Sequence, residues 1–64
     1  MDSRYICNHL RKLIRVMYIT TGKGFYAREI QPNHFEFGCV EPPVKNVVHR
    51  SVAIYLICGN YENN

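Results

Sequence analysis

The sequence predicts a small two-layer α+β domain in which two helices cover a three-stranded antiparallel meander, in the order α-β-β-β-α. Three observations support this prediction. Apolar residues follow a helical period towards both ends of the chain and alternate in its middle. Clusters of Gly and Pro separate these segments by short breaks, and strands joined by short connections are usually antiparallel neighbours. The length of 64 residues is typical of a single domain.

The first helix is predicted over residues 3–12. Ile6 and Leu10 recur at helical spacing, and polar or cationic residues occupy most positions between them. Asp2 or Ser3 can cap this helix, because a short side-chain oxygen accepts a backbone N–H that has no partner inside the helix.

Residues 13–20 fit two structures. Their apolar side chains can continue the helical stripe to about residue 18, but the segment is also rich in β-branched and aromatic residues typical of strands. It leads into residues 21–24, which contain two glycines suited to a tight turn. We favour a strand over residues 13–20 that forms a hairpin with a second strand over residues 25–30.

The third strand, over residues 33–40, has the clearest pattern. Phe35, Phe37 and Cys39 lie on one face, and polar residues or glycine occupy the other. This alternation is typical of a strand with one buried face and one solvated face.

A second helix is predicted over residues 43–58. Pro43 suits a first helical turn, and the apolar residues that follow have a period close to 3.6. Many of them are β-branched, which disfavours a helix, so a buried strand remains open for part of this segment. A polar tail is expected over residues 60–64.

The net charge of +3 is unevenly distributed. Residues 1–28 carry six cationic residues against one acidic residue, whereas residues 29–64 carry two against four. An anionic partner is therefore expected to meet the first half of the chain.

The sequence predicts no catalytic residues, no metal site and no cofactor. Cys7, Cys39 and Cys58 are not paired at the close spacing of zinc knuckles. Their odd number favours free thiols in a reducing compartment, although one disulfide with one free thiol remains an alternative. The longest apolar run, residues 52–58, is far shorter than a membrane span of about 20 residues. With no secretory signal visible, we expect a cytoplasmic protein with no membrane partner.

Two functions fit these features. The first is a small non-enzymatic interaction module, such as a regulator, inhibitor or adaptor of the kind found among viral and phage accessory proteins. It would bind a larger protein through exposed arginines and aromatic residues, which carry much of the energy of interfaces. The predicted binding residues are Arg11, Arg15, Tyr18, Tyr26 and Arg28.

The alternative function is binding of nucleic acid, with cationic side chains that contact phosphates. The predicted residues in that case are Arg4, Arg11, Lys12, Arg15, Lys23 and Arg28. A homodimer is a further candidate state, because the apolar residues Ile54, Tyr55 and Ile57 offer surface that a small core leaves uncovered.

Overall fold

The computed structural model describes residues 1–17 and 23–59. The elements are α1 (Ser3–Met17), β1 (Tyr26–Gln31), β2 (His34–Cys39), β3 (Val44–His49) and α2 (Arg50–Ile57). The strands form one open antiparallel sheet in the order β1-β2-β3. The predicted α+β class and the order α-β-β-β-α are therefore confirmed.

Helix α1 begins at a side-chain cap and is held to the sheet by one apolar stripe. The Asp2 carboxylate accepts a hydrogen bond from the backbone N–H of Tyr5 at 2.7 Å, as expected for a capping residue. Ile6, Leu10 and Ile14 are fully buried, and their spacing of four residues places them on the same side of the helix.

The helix continues past the predicted end at residue 12. The predicted strand over residues 13–20 is wrong for residues 13–17, which are helical, and residues 18–20 lie outside the described part of the chain. The reason is packing: the buried stripe extends by one further turn, and burial of apolar surface outweighs the weak strand propensity of the same residues.

Strands β1 and β2 confirm the strands predicted over residues 25–30 and 33–40, with shifts of one residue at their ends. A tight turn through Pro32 and Asn33 joins them, since Gln31 pairs with His34. Asn33 has a φ of 65°, in the left-handed region that asparagine tolerates better than most residues.

The helix predicted over residues 43–58 is wrong for residues 44–49, which form β3. Burial alternates along β3 between half-buried and exposed, and its β-branched residues suit a pleated surface. Helix α2 begins only at Arg50, where the Nδ1 atom of His49 accepts the backbone N–H of Ser51 at 3.1 Å. The predicted polar tail, residues 60–64, lies outside the described residues.

The two helices cover one face of the sheet, called the inner face here. Phe35, Phe37 and Cys39 of β2 are buried on it, as predicted from their alternation, and the first two pack with the stripe of α1. Ala53 and Ile57 of α2 complete this core, so Ile57 does not contribute to an uncovered surface. The opposite face, called the outer face here, carries no helix among the described residues.

Candidate functional site

The cationic residues of α1 form a stripe along one flank of the helix. Arg4, Asn8, Arg11 and Arg15 follow the spacing i, i+4, i+7 and i+11, which places their side chains one above the other. Lys12 lies beside them, four residues after Asn8. The flank is adjacent to the buried stripe, so the helix presents these cations at its junction with the sheet rather than towards the core.

No carboxylate neutralises this stripe within the described residues. The one salt bridge that they contain joins Arg28 to Glu36 on the outer face. The guanidinium of Arg11 instead donates a hydrogen bond to the side-chain oxygen of Asn8. The stripe therefore keeps its positive charge available for an external anion.

A concave surface lies beside the stripe, and we call it the basic groove. Its volume is about 360 Å³. Phe25, which is half-buried and packs against the core, contributes the aromatic part of its lining. The groove thus combines an aromatic surface with cations, a combination that suits an anionic partner with apolar or planar groups. The lining residues are Asn8, Arg11, Lys12, Arg15 and Phe25.

The basic groove follows the edge of the sheet. Ser3 at the start of α1 hydrogen-bonds the carboxylate of Glu29, late in β1, whereas the second half of α1 lies beside Phe25, just before β1. Helix α1 and strand β1 therefore run side by side in opposite directions. Strand β1 pairs with β2 alone among the described residues, so its other edge offers backbone N–H and C=O groups to a partner strand.

Glu29 lies at the far end of this edge. Its carboxylate accepts a hydrogen bond from Ser3 and another from the backbone N–H of Asn33, the latter at 2.9 Å. These hydrogen bonds, led by that from Ser3, lower the pKa of Glu29. Its negative charge is thus held near the start of α1 and away from Arg11 and Arg15.

Tyr26 and Arg28 occupy a different surface from the basic groove. Both share the outer face with Glu36, which pairs directly with Arg28 across the strands. The Tyr26 hydroxyl donates a hydrogen bond of 2.8 Å to Glu36, and the Arg28 guanidinium lies 3.5 Å from the same carboxylate oxygen. Arg28 also lies over the Tyr26 ring, 6.0 Å from its centroid.

This outer cluster of Tyr26, Arg28 and Glu36 is internally compensated. Glu36 is only 6% exposed, and the hydrogen bond from Tyr26 is the main reason that its pKa is lowered. The same hydrogen bond raises the pKa of Tyr26. The sequence placed Glu36 on a polar face without burial, and this expectation was wrong because neighbouring side chains cover it.

The structure therefore divides the predicted binding residues. Arg4, Arg11, Lys12 and Arg15 share α1. Lys23 is exposed near the groove, and its backbone is paired with that of Glu41. Tyr26 and Arg28 are on the outer face, and Tyr18 lies outside the described residues.

Arg50 is a structural residue that the sequence did not single out. Its guanidinium donates to the Ser3 hydroxyl at 3.3 Å and to the backbone carbonyl of Met1. It also lies over the Phe35 ring, 5.9 Å from the centroid. Arg50 thus ties the start of α2 to the start of α1, and its cation is committed inside the fold. Its place directly after a strand end gave no separate signal, because the sequence predicted one continuous helix there.

The three cysteines are free: Cys39 is buried, and Cys7 and Cys58 are half-buried. The Cys39 thiol donates to the carbonyl of Pro42 at 3.1 Å. Burial raises the pKa of Cys7, although Arg11 opposes this effect. No group of three metal-ligating side chains comes together within residues 1–17 and 23–59.

Comparisons with known proteins find no relative. No protein-family model matches the sequence, and neither a curated protein nor a solved structure shows significant similarity to it. In the described segments, no helix has both the length and the apolar character needed to cross a bilayer. The geometry of the basic groove is therefore the main basis for an inference about function.

Proposed function

We propose that this chain is a non-enzymatic interaction module that binds an acidic, extended segment of a larger protein in the basic groove. One observation carries the proposal: Arg11, Lys12 and Arg15 lie without a counter-charge, among the described residues, beside Phe25 and an open strand edge. Such a module acts as a regulator, inhibitor or adaptor by occupying a site on its target. The three free thiols suit a reducing compartment, and we place the protein in the cytoplasm.

An extended segment fits because its backbone can pair with β1. Addition of a strand to an open sheet edge supplies main-chain hydrogen bonds, and side-chain contacts supply the specificity. Alternate residues of a strand are about 6.7 Å apart, and residues four apart on a helix are about 6 Å apart. Acidic residues at alternate positions of the segment can therefore meet Arg11 and Arg15 in turn. An apolar side chain at a neighbouring position can rest on Phe25.

The titratable groups of the described residues favour binding over catalysis. The raised pKa of Cys7 keeps its thiol protonated, whereas a nucleophilic cysteine needs the thiolate. The lowered pKa of Glu36 keeps its carboxylate ionised, whereas a general acid must hold a proton near neutral pH. Neither group borders the basic groove.

Single-stranded nucleic acid is the second candidate partner, and Phe25 is the observation that favours it. A base can stack on an aromatic ring while adjacent cations contact phosphates. The same groove would then be used, with Arg4 and Lys23 as further phosphate contacts along α1 and before Phe25. The two candidates differ in backbone chemistry, which makes them separable.

The test measures fluorescence anisotropy of labelled ligands at low and moderate salt. The ligands are a peptide of alternating Glu and Val, the same peptide with N-methylated backbone amides, and a single-stranded RNA. We expect the first peptide to bind and N-methylation to weaken it severalfold, because methylation removes strand pairing. Arg11→Gln and Arg15→Gln should each weaken binding by up to about fivefold, as expected for surface ion pairs.

The matched control is Lys45→Gln, which removes one charge from an exposed residue of the outer face. It should leave peptide affinity unchanged. If Lys45→Gln weakens the peptide as much as Arg11→Gln does, the binding is only a response to net charge and the proposal fails. If the RNA binds and the peptide does not, the second candidate replaces the first.

A further inference from the structure

A second concave surface lies on the other flank of α1, and we call it the apolar groove. Its volume is about 430 Å³. Side chains of α1 and α2 form its walls and the inner face of the sheet forms its floor, so it opens outward through the helical layer. Asn46 is the one polar residue among those that line it. The lining residues are Leu13, Met17, Phe37, Asn46, Val48 and Leu56.

Tyr55 projects from the same helical layer. It is 74% exposed, and it stands two residues from both Ala53 and Ile57, which are buried. Residues two apart on a helix point in nearly opposite directions, so Tyr55 points away from the core. Val52, one turn earlier, is also exposed. Helix α2 is thus apolar on its outward side as well as its inward side, a pattern typical of helices that are buried all round.

We propose that a second copy of the chain covers this surface, with Tyr55 of each copy inserted into the apolar groove of the other. A projection and a matching concavity on one face of one chain fit a two-fold dimer, in which each contact is made twice. The groove volume falls in the range of about 300–1,000 Å³ that admits compact ligands, so it has room for an aromatic ring. The walls are apolar, and the Asn46 amide can hydrogen-bond the tyrosine hydroxyl.

The chemistry of the groove favours tyrosine over a purely apolar side chain. A groove with one amide among apolar walls leaves that amide without a partner when a phenyl ring fills it, and such a loss is costly in a desolvated site. A tyrosine satisfies both parts, because its ring is apolar and its hydroxyl is polar.

The size of the surface sets the expected affinity. Two tyrosines, each able to bury about 150–250 Å², together with Val52 and Met17, fall short of the roughly 800 Å² per partner of a standard stable interface. We therefore expect a weak dimer with a Kd on the order of 100 µM. The apolar groove and the basic groove lie on opposite flanks of α1, so the dimer leaves the basic groove open.

Sedimentation equilibrium tests the proposal by measuring the average mass as a function of concentration. The mass should rise from 7.5 kDa towards twice that value as concentration approaches about 1 mM. Tyr55→Ser removes the projection, and Met17→Gln makes the groove wall polar. Each variant should weaken association at least tenfold. Both residues are largely exposed, with Met17 at 59%, so circular dichroism should show the native fold.

A mixture of the two variants gives a sharper test. In the mixed dimer, Tyr55 of the Met17→Gln copy meets the intact groove of the Tyr55→Ser copy, which restores one complete contact. The mixture should associate more strongly than either variant alone. Tyr55→Phe should weaken association severalfold, because it leaves the Asn46 amide without the hydroxyl.

The control is Val47→Thr, which alters an apolar residue, 50% exposed, on the outer face. It should not change the association. A chain that stays monomeric up to about 1 mM overturns the proposal, and so does a dimer that Tyr55→Ser does not weaken. A control variant that weakens association as much as Tyr55→Ser also overturns it, by placing the interface on the outer face.

Discussion

Gly38 is the position where a single methyl group should do most damage to the sheet. It lies in the central strand, paired with Tyr26 on one side and Lys45 on the other. A Cβ atom added there would lie 1.8 Å from the backbone carbonyl oxygen of Val44. Ordinary contacts begin at 3.4 Å, so Gly38→Ala requires β2 and β3 to separate locally by about 1.6 Å. The obstacle is backbone, which cannot turn aside as a flexible side chain can.

The expected cost follows from what this separation disrupts. Overpacking alone costs about 1–3 kcal/mol, and each weakened hydrogen bond of the ladder adds about 1 kcal/mol. We therefore expect Gly38→Ala to lower the free energy of unfolding by about 3 kcal/mol or more. A chain of 64 residues has a total stability of about 3–10 kcal/mol, so the variant should be close to unfolded.

Urea unfolding followed by circular dichroism measures this effect. With an m-value of about 1 kcal/mol/M, the midpoint should fall by about 3 M, or the native baseline should be absent. Gly59→Ala is the matched control, because a Cβ atom at Gly59 meets nothing within 4 Å, and its midpoint should stay close to that of the wild type. A Gly38→Ala variant within 1 kcal/mol of the wild type would show that the close approach of the two strands is not part of the native structure.

The remaining predictions concern the cap, the core and the outer cluster. Asp2→Ala removes the acceptor for the Tyr5 N–H and should cost about 0.5–2 kcal/mol in urea unfolding, whereas an unchanged midpoint would contradict the cap. Leu10→Ala empties a fully buried site and should cost about 2–5 kcal/mol, a loss that a mobile, poorly packed core would not show. The lowered pKa of Glu36 stabilises the fold at pH values above its ordinary value of 4.5, and this contribution is lost as pH falls through the lowered pKa. Tyr26→Phe removes the main cause of that shift, so its stability should approach that of the wild type in acid. The raised pKa of Tyr26 predicts a second convergence as pH rises above 10, and a difference that is constant across pH would contradict the hydrogen bond.

The end of the first helix shows why local propensity misleads in a small protein. Residues 13–17 contain strand formers, and the sequence favoured a strand there. They also continue the apolar stripe of α1, with Ile14 fully buried. Ile14 packs in the same cluster as Phe35 and Phe37 of β2, so tertiary contact decides its conformation. A single sequence gives the period of the stripe but not which of two compatible partners it will meet.

The segment after Pro43 fails in the opposite direction. Its apolar residues fit a helical period, yet residues 44–49 pair with β2. The discriminating property is β-branching, which was present in the sequence as a recognised weakness of the helical interpretation. The sheet needs a third strand, and residues 13–17 do not supply it. The two errors are therefore linked, and together they left the predicted order of elements unchanged.

Charge was a better guide to the candidate site than secondary structure. The excess of cations in residues 1–28 correctly directed attention to α1, because the period of a helix brings Arg11 and Arg15 together whatever follows them. Charge alone could not place Tyr26 and Arg28. Their position depends on strand register, and a register fixed by pairing with β2 turns both onto the outer face, where Glu36 compensates them.

The two proposed surfaces make separable predictions because α1 presents them on opposite flanks. Arg11 lies on the flank of the basic groove and Leu13 on that of the apolar groove, so substitutions on one flank should act independently of those on the other. A two-fold dimer carries two basic grooves on one particle, and a partner with two acidic segments would gain from avidity. Tyr55→Ser should then weaken binding of a divalent acidic ligand while leaving a monovalent one unchanged. Arg15→Gln should weaken both, because it alters each groove directly.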